Sequence, residues 1–263
     1  MSDRYALVGN PVAHSKSPRI HAEFARATAQ DLDYGLIEAP LDGFAQAVER
    51  FRAAGGKGLN VTVPFKQQAF EFCKRVSERA RLAGVANTLV LEQGFGDNTD
   101  GVGLVRDIAN LGVPLQGRSV LLLGAGGAAQ GVIGALLEAG AGRLVIANRT
   151  APRAQALAAR FAGTLACGYE ALGGDSFDVV INATSAGLSG EAPSVPPSVL
   201  RKGMLAYEMV YGRETPFLAA ARKAGARVTD GLGMLVEQAA ESFYIWRGVR
   251  PATRPVLAIL RGS

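Results

Sequence analysis

The fold is decided by the segment Ser119–Arg153, which reads SVLLLGAGGAAQGVIGALLEAGAGRLVIANRTAPR. Its apolar run at 120–123 is typical of a strand buried on both faces of a parallel sheet. A glycine-rich turn follows this strand at once and consists of Gly124, Ala125, Gly126, Gly127, Ala128 and Ala129. The turn fits Gly-x-Gly-x-x-Ala, in which the first glycine makes the tight bend and the second admits a pyrophosphate. We therefore predict a Rossmann-type domain that binds a dinucleotide at the N-terminus of a helix beginning near Gly127.

The end of the second strand, Leu144–Ala147, predicts which dinucleotide binds. NAD enzymes usually carry Asp or Glu there, to accept hydrogen bonds from the adenine ribose. This chain carries Asn148, Arg149 and Thr150 instead, with Arg153 one helical turn further on. Two guanidinium groups and no carboxylate favour the 2′-phosphate of NADP. The alternative is that the two arginines form an ordinary solvated start to the next helix.

The composition limits the class of protein. The chain has 263 residues, of which 48% are hydrophobic and 19% charged, so we expect a globular protein of one large or two modest domains. Cys73 and Cys167 lie far apart, which excludes a zinc ribbon or a disulfide framework; with no secretory leader, this favours a cytoplasmic location. The net charge of +5 is scattered, so we expect no nucleic-acid partner. The uncharged stretch between Arg118 and Glu138 resembles a membrane span, but its glycine cluster predicts a buried strand and helix.

The first hundred residues predict a second α/β unit. Strands at about 5–8, 34–38 and 59–63 alternate with helices at about 19–29 and 43–53. This alternation predicts a parallel sheet, whose ligands bind beyond the carboxyl ends of the strands. Five polar residues fall at that edge: Ser15, Ser17, Asn60, Thr62 and Lys66. Structural alternatives exist for three of them: Ser17 as a helix cap before Pro18, Thr62 as a strand residue, and Lys66 as a surface lysine.

Lys66 is a candidate acid/base. It lies in the first turn of a helix that we expect Pro64 to open, where a cation is unfavourable by up to about 1 kcal/mol. A merely structural lysine would be better placed elsewhere. The next predicted strand, at about 85–91, carries Asn87, and Asp100 follows it. Asp100 has the alternative role of capping a helix at 102–110.

These motifs, taken in order along the whole chain, resemble those of the shikimate dehydrogenases, which interconvert 3-dehydroshikimate and shikimate with NADP in the pathway to aromatic amino acids. The resemblance rests on the segments 9–11, 14–18, 60–66, 87–88, 97–101, 124–128, 148–150, 182–185, 207–211 and 230–235, with Gln238. It departs from the family pattern at Glu208, where Asp is usual, at Gln130, where Arg is common, and in the Val-Ala order at 85–86.

The resemblance implies roles by position. It assigns Lys66 and Asp100 to catalysis. It assigns Ser15 and Ser17 to the substrate carboxylate, and it places Asn60, Thr62, Asn87, Tyr211 and Gln238 in the same substrate pocket. It brings Thr184, Met209 and Gly231 to the nicotinamide end of the cofactor, in addition to the glycine turn and the residues from Asn148 to Arg153.

The resemblance also implies a two-domain α/β fold. Residues 1–101 and 233–263 form the substrate domain, residues 102–232 form the Rossmann-type NADP-binding domain, and the C-terminal helical segment returns to the first domain. We expect a monomer or homodimer that acts on shikimate and 3-dehydroshikimate, without a metal, a nucleic-acid partner or a membrane anchor. Two alternatives stay open. One is a quinate/shikimate dehydrogenase of dual specificity, and the other is a non-catalytic NADP-binding regulatory protein, which Lys66 and Asp100 disfavour.

Overall fold

The computed structural model describes residues 2–262, apart from the side chains at 188 and 189. The strands are β1 Asp3–Gly9, β2 Leu32–Glu38, β3 Gly56–Val61, β4 Arg75–Val76, β5 Thr88–Val90, β6 Phe95–Asp97, β7 Ser119–Leu123, β8 Arg143–Ala147, β9 Thr164–Cys167, β10 Val179–Asn182, β11 Leu205–Glu208 and β12 Arg227–Thr229. The helices are α1 Ser17–Thr28, α2 Phe44–Ala53, α3 Lys66–Phe72, α4 Glu78–Ala83, α5 Asp100–Asn110, α6 Gly127–Glu138, α7 Ala151–Ala158, α8 Ala186–Ser189, α9 Pro216–Lys223, α10 Leu232–Arg247 and α11 Thr253–Arg261. None of the helices in the described part of the chain has the length and apolarity needed to cross a membrane.

The chain divides into two compact units. Unit 1 contains residues 1–104 and 235–263, and unit 2 contains residues 105–234. Both crossings between the units fall inside helices, the first within α5 and the second within α10. Each unit has a six-stranded sheet of its own. The predicted two-domain α/β fold is therefore confirmed.

Unit 2 has the Rossmann topology. Its strand order is β12-β11-β10-β7-β8-β9, and every neighbouring pair is parallel. The apolar strands β7 and β8 are buried because helices cover both faces of such a sheet. The chain order reverses between β7 and β10, and the glycine-rich turn follows β7 at this point. Ligands of doubly wound sheets bind at such a reversal, beyond the carboxyl ends of the strands.

Unit 1 has a mixed sheet. The strands predicted at about 5–8, 34–38 and 59–63 are parallel, as expected, whereas the strand predicted at about 85–91 is antiparallel. The order is β2-β1-β3-β5-β6-β4, in which β2, β1 and β3 are parallel. Strand β5 runs antiparallel to both β3 and β6. The reason is that β5 and β6 are joined by a short connection through Gly94, whose φ is +57°, and a short connection can link only antiparallel neighbours.

The C-terminal helices pack in unit 1, as predicted. In α10, the Trp246 ring stacks on Tyr5 of β1 with 4.6 Å between centroids, and its indole nitrogen donates to the Leu89 carbonyl at 3.0 Å. Phe243 meets Phe24 of α1 edge-on at 5.8 Å. These contacts hold α10 against both the sheet and α1 of the unit.

Three helix starts differ from the sequence predictions. Helix α1 begins at Ser17 with Lys16 as its N-cap, so Ser17 is not the cap. Helix α3 begins at Lys66 and not at Pro64, because a turn closed by the Phe65 N–H and the Thr62 carbonyl precedes it. Helix α5 begins at Asp100, whose N–H donates to the Asn98 side chain at 3.0 Å, so Asp100 does not have the capping role.

Candidate active site

Lys66 and Asp100 form a close ion pair in unit 1. The Lys66 ammonium donates to Asp100 Oδ2 at 2.5 Å. The Lys66 side chain is 17% exposed and that of Asp100 6% exposed, so both are largely removed from water. Each residue is the first of its helix, Lys66 in α3 and Asp100 in α5. The site thus presents a cation at one helix start, partnered by a carboxylate at another.

Asn87 fixes the second oxygen of this carboxylate. Its amide donates to Asp100 Oδ1 at 2.8 Å, and it also lies within hydrogen-bond distance of Thr99 Oγ1 at 3.0 Å and Gln238 Oε1 at 3.3 Å. Its side-chain oxygen, Oδ1, accepts from the Thr99 N–H at 2.8 Å and from the Thr88 hydroxyl at 2.9 Å. Asn87 is 2% exposed, so these bonds orient it firmly. It therefore holds Asp100 in a single orientation towards Lys66.

Helix α10 supplies two polar side chains to the same cluster. Gln238 donates to the Leu235 carbonyl at 2.8 Å and accepts from the Thr99 hydroxyl at 3.3 Å. One turn later, the Ser242 hydroxyl lies 2.7 Å from that of Thr88 and 3.3 Å from that of Thr99. The cluster therefore joins the C-terminal helix to the β5–β6 region of the sheet.

Asn60 lies behind this cluster, in β3. It accepts from the Tyr34 hydroxyl at 2.7 Å and donates towards Ser242 at 2.9 Å and Thr88 at 3.2 Å. Asn60 is 4% exposed, and its side-chain amide also donates to the backbone carbonyl of Asn87 at 3.1 Å. Its hydrogen-bonding groups are all engaged within the protein. We therefore see Asn60 as support for the residues nearer to a ligand.

Ser15, Ser17 and Thr62 lie at the carboxyl ends of β1 and β3. The Ser15 hydroxyl is 3.1 Å from that of Ser17. Burial raises the pKa of the Tyr34 hydroxyl well above its usual value, and the neighbouring Ser17 side chain opposes this shift. The Thr62 N–H donates to the Val8 carbonyl at 2.9 Å, which joins the segments after β1 and β3. A hydrogen-bonded network runs from Tyr34, through Asn60 and Asn87, to the Lys66–Asp100 pair, and Ser15 and Ser17 form a separate bonded pair.

The glycine-rich turn of unit 2 leaves room for a ligand. Gly124 has a φ of +108°, and a Cβ added to it would lie 3.2 Å from the Ala183 carbonyl group. Cβ atoms added to Gly126 and Gly127 would meet no atom within 4 Å. Gly126 is the N-cap of the twelve-residue helix α6 and supplies no side-chain cap. The free N–H groups of that helix are thus accessible to an anion, as a pyrophosphate requires.

The second cofactor segment lies at the end of β8. Arg149, Thr150 and Arg153 are exposed, and Asn148 donates from its side chain to the Thr150 carbonyl at 3.0 Å, which closes the turn before α7. The Tyr169 hydroxyl hydrogen-bonds the backbone of Arg149. A cavity of about 390 Å³ opens here, lined by Arg149, Tyr169, Glu170, Ser194, Val195 and Pro196. The guanidinium of Arg149 thus borders a space that is large enough for part of a nucleotide.

The residues predicted for the nicotinamide end follow three strands: Thr184 follows β10, Met209 follows β11 and Gly231 follows β12. Thr184 is bonded to Asn182 at the end of β10, through its hydroxyl at 2.7 Å and its N–H at 3.1 Å. The Met209 N–H donates to the Asn182 carbonyl at 3.0 Å. A Cβ at Gly231 would lie only 2.2 Å from the Met209 carbonyl oxygen, so only glycine fits there. Tyr211, predicted for the substrate pocket, lies in unit 2 between β11 and α9.

Four residues of the unit 1 cluster were given no role from the sequence. They are Tyr34, Thr88, Thr99 and Ser242. Ser242 had a usable signal, because it follows Gln238 by four residues and so lies on the same face of α10. Thr99 and Tyr34 had none, since an isolated hydroxyl in a short loop or on an edge strand is usually solvated. Within residues 2–262, no group of three or more His, Cys, Asp or Glu side chains is placed to hold a metal ion.

Comparisons with known proteins cover most of the chain. Three family models match it: the shikimate dehydrogenase substrate binding domain at residues 7–89, shikimate / quinate 5-dehydrogenase at residues 105–189, and the shikimate 5′-dehydrogenase C-terminal domain at residues 231–261. A shikimate dehydrogenase (NADP(+)) of Aromatoleum aromaticum is 58% identical over 270 residues, covering 98% of this chain and 97% of the relative.

Two solved structures have the same fold over the full length. An Ael1 enzyme from Pseudomonas putida is 54% identical, with a TM-score of 0.93 and 98% of both chains covered. Shikimate 5-dehydrogenase from Thermus thermophilus, solved in complex with NADP(H) and shikimate, is 34% identical, with a TM-score of 0.90 and 99% of both chains covered.

Proposed function

The chain belongs to the shikimate dehydrogenase family, and from this premise we propose that it catalyses the reversible NADPH-dependent reduction of 3-dehydroshikimate to shikimate in aromatic amino-acid biosynthesis. The observation that carries the proposal is the Lys66–Asp100 ion pair, held by Asn87 at one end of a buried polar network. A cofactor-binding homologue without catalysis has no need of such a pair.

The pair supplies the proton that the reaction requires. NADPH supplies a hydride to the carbonyl carbon, and the carbonyl oxygen then needs a proton as it becomes an alkoxide. Lys66 donates a hydrogen bond to Asp100, and the pair as a unit would pass the proton to this oxygen. Because both side chains are largely buried, their electrostatic interactions with a bound substrate would be stronger than in water.

Unit 1 also provides groups for a polyhydroxylated carboxylate. The paired hydroxyls of Ser15 and Ser17 suit a carboxylate. Ser15 donates to Ser17 in this structure, so its hydroxyl would have to rotate before both serines donate to that ligand. Thr62 and Gln238 offer hydroxyl and amide groups for the ring hydroxyls, and Asn87, whose amide is already bonded to Asp100, would contribute through that carboxylate. These assignments divide the substrate into a carboxylate end near Ser15 and a reacting end near Lys66. Asn60 would act indirectly, through Thr88 and Ser242.

Unit 2 has the features that bind NADP. The turn Gly124–Ala128 and the start of α6 would hold the pyrophosphate, and Asn148, Arg149, Thr150 and Arg153 would hold the adenosine 2′-phosphate. Thr184, Met209 and Gly231 would border the nicotinamide. The exposed guanidiniums suit a phosphate because they can reach it without first giving up a buried partner.

We further propose a cytoplasmic location and a monomeric or homodimeric state. The two cysteines, Cys73 and Cys167, are both free thiols, which suits a reducing compartment. Sedimentation of the purified protein would decide between a monomer and a dimer.

The proposed function is tested by supplying the protein with shikimate or quinate, each with NADP⁺ or NAD⁺, and following formation of the reduced cofactor. We expect the highest kcat/KM with shikimate and NADP⁺. Comparable kcat/KM with quinate would indicate the dual-specificity alternative. Binding of NADPH without turnover of either substrate would indicate the regulatory alternative.

A further inference from the structure

Glu208, the last residue of β11, is a buried carboxylate that joins three separate segments of unit 2. Its Oε2 accepts from the Asn182 amide at 2.8 Å and from the Thr215 hydroxyl at 2.9 Å. Its Oε1 accepts from the Val210 N–H at 3.1 Å. The residue is fully buried, with an exposed fraction of 0%. One side chain thus connects the end of β10, the segment after β11 and the start of α9.

Two of these bonds lead to the residues proposed for the nicotinamide end. Asn182, held by Glu208 through its amide, uses its carbonyl oxygen to accept from the hydroxyl and the N–H of Thr184. Val210, held through its N–H, follows Met209 directly, and its own carbonyl accepts from the Gly231 N–H at 3.2 Å. Thr184, Met209 and Gly231 are therefore each fixed through an immediate partner or neighbour of Glu208.

The third bond leads elsewhere. Thr215 is the N-cap of α9, and its hydroxyl accepts from the Leu218 N–H at 3.3 Å. This branch stabilises a helix start and contacts none of the proposed cofactor residues. It offers a control, because removing the Thr215 hydroxyl takes one hydrogen bond from Glu208 while leaving its bonds to Asn182 and Val210 in place.

A carboxylate is a costly residue at this position. Burial raises the pKa of Glu208, opposed by hydrogen bonds from Val210, Asn182, Thr215 and Met209. An apolar residue would avoid this desolvation, although it could not satisfy the donors that converge here. The cost is therefore consistent with a role in ordering these segments that an apolar strand end could not perform.

We propose that Glu208 is the positioning residue of the nicotinamide end, fixing the Thr184 and Met209 segments in the arrangement that receives this half of the cofactor. The inference rests on the proposed function, since it takes NADP as the ligand of unit 2. Glu208 acts through Asn182 and Val210 and need not touch the cofactor itself.

The test compares Glu208→Gln with Thr215→Val, using two probes. NADPH contains both halves of the cofactor, whereas adenosine 2′,5′-bisphosphate contains only the adenosine half. Gln replaces one acceptor oxygen by a donor, so it cannot satisfy Asn182, Thr215 and Val210 together. We expect Glu208→Gln to weaken NADPH binding about tenfold or more, with binding of adenosine 2′,5′-bisphosphate within about twofold of wild type. Thr215→Val should lower the melting temperature and leave both dissociation constants within the same twofold range.

Glu208→Asp provides a second variant in case the glutamine variant folds poorly. It keeps the charge but is one methylene shorter, so we expect NADPH affinity between those of wild type and Glu208→Gln. Equal weakening of both probes by Glu208→Gln, or weakening of NADPH binding by Thr215→Val to the same degree, would overturn the inference in favour of a general stability effect. Failure of the wild-type protein to bind NADPH would instead overturn the proposed function, so the two failures are distinguishable.

Discussion

Lys66 Nζ lies 2.5 Å from Asp100 Oδ2, while the Asn87 amide holds the other oxygen of the same carboxylate at 2.8 Å. The three residues come from the start of α3, the segment before β5 and the start of α5. Asp100 is thus fixed from two sides. Lys66 is positioned by one side chain, that of Asp100. The other hydrogens of its ammonium group can still be donated to a ligand.

Replacing either member of this pair should slow the chemical step. We expect Lys66→Met and Asp100→Asn each to lower kcat by about two orders of magnitude or more, as for the loss of an acid/base group. NADPH binding should persist, because the proposed cofactor residues lie in unit 2. Lys74→Met, which removes an exposed lysine of the same unit, is the control. Values of kcat within about tenfold of wild type for both variants would remove the pair from the mechanism.

Ser15→Ala and Ser17→Ala should raise KM for shikimate more than they lower kcat. The carboxylate is remote from the reacting carbon, so it is bound similarly in the ground and transition states. Since Ser17 is not the cap of α1, its replacement should not destabilise that helix through lost capping. Ser77→Ala, which does remove a helix cap, is the control for lost stability. An unchanged KM together with a lower kcat would contradict the assigned role.

NADPH should be preferred to NADH by about a hundredfold or more, because both exposed guanidiniums, Arg149 and Arg153, can form charge-assisted bonds to the 2′-phosphate. The preference should shrink as salt rises, since these groups are open to solvent. Asn148→Asp combined with Arg149→Ser should narrow or reverse it, whereas Arg160→Ser, at another exposed arginine of unit 2, should not. The measurement is kcat/KM with each cofactor. Equal values for the unmodified protein would refute the assignment of these arginines.

His21 should make stability depend on pH. Its ring is fully buried and stacks on Tyr34 at 4.1 Å, and burial lowers its pKa from 6.5 to about 3. Below pH 6.5 His21 is protonated in the unfolded chain, whereas in the folded chain it stays neutral until the pH falls to about 3. The neutral ring therefore contributes stability above pH 6.5, and this contribution is lost as the pH falls towards 3.

Denaturant unfolding at pH 7 and pH 5 measures this effect. The wild-type protein should lose about 1 to 2 kcal/mol more than His21→Phe over this interval, since phenylalanine keeps the stacking but does not titrate. His14→Gln, at an exposed histidine, should behave like wild type. Parallel losses in the wild-type protein and His21→Phe would show that His21 does not cause the acid sensitivity.

The sequence predicted unit 2 better than unit 1, and the reason is physical. The turn after β7 can be recognised from its residues alone, because a glycine cluster directly after a buried strand is typical of a dinucleotide-binding turn. The antiparallel strand β5 has only three residues, Thr88–Val90, and short strands carry little periodicity. The direction of β5 is set instead by its short connection to β6 through Gly94, which the apolar pattern does not encode.

The site shows the same contrast. Lys66 could be singled out because a cation at a helix start is locally unfavourable. The bond between Asn60 and Ser242 spans 182 positions, and no local pattern in either segment predicts it. The role of a hydroxyl such as that of Thr99 is apparent only in the folded chain, which places it beside the Asn87 amide.

The measurement that tests the account most directly follows the transferred hydrogen. The protein is given 3-dehydroshikimate and NADPH that carries deuterium at the transferable position of the nicotinamide, and the shikimate formed is analysed by mass spectrometry. The account predicts one deuterium on the carbon that gains the hydroxyl, with product formation slowed about a hundredfold in Lys66→Met. Shikimate without deuterium, or labelled shikimate formed by Lys66→Met at the wild-type rate, would contradict it.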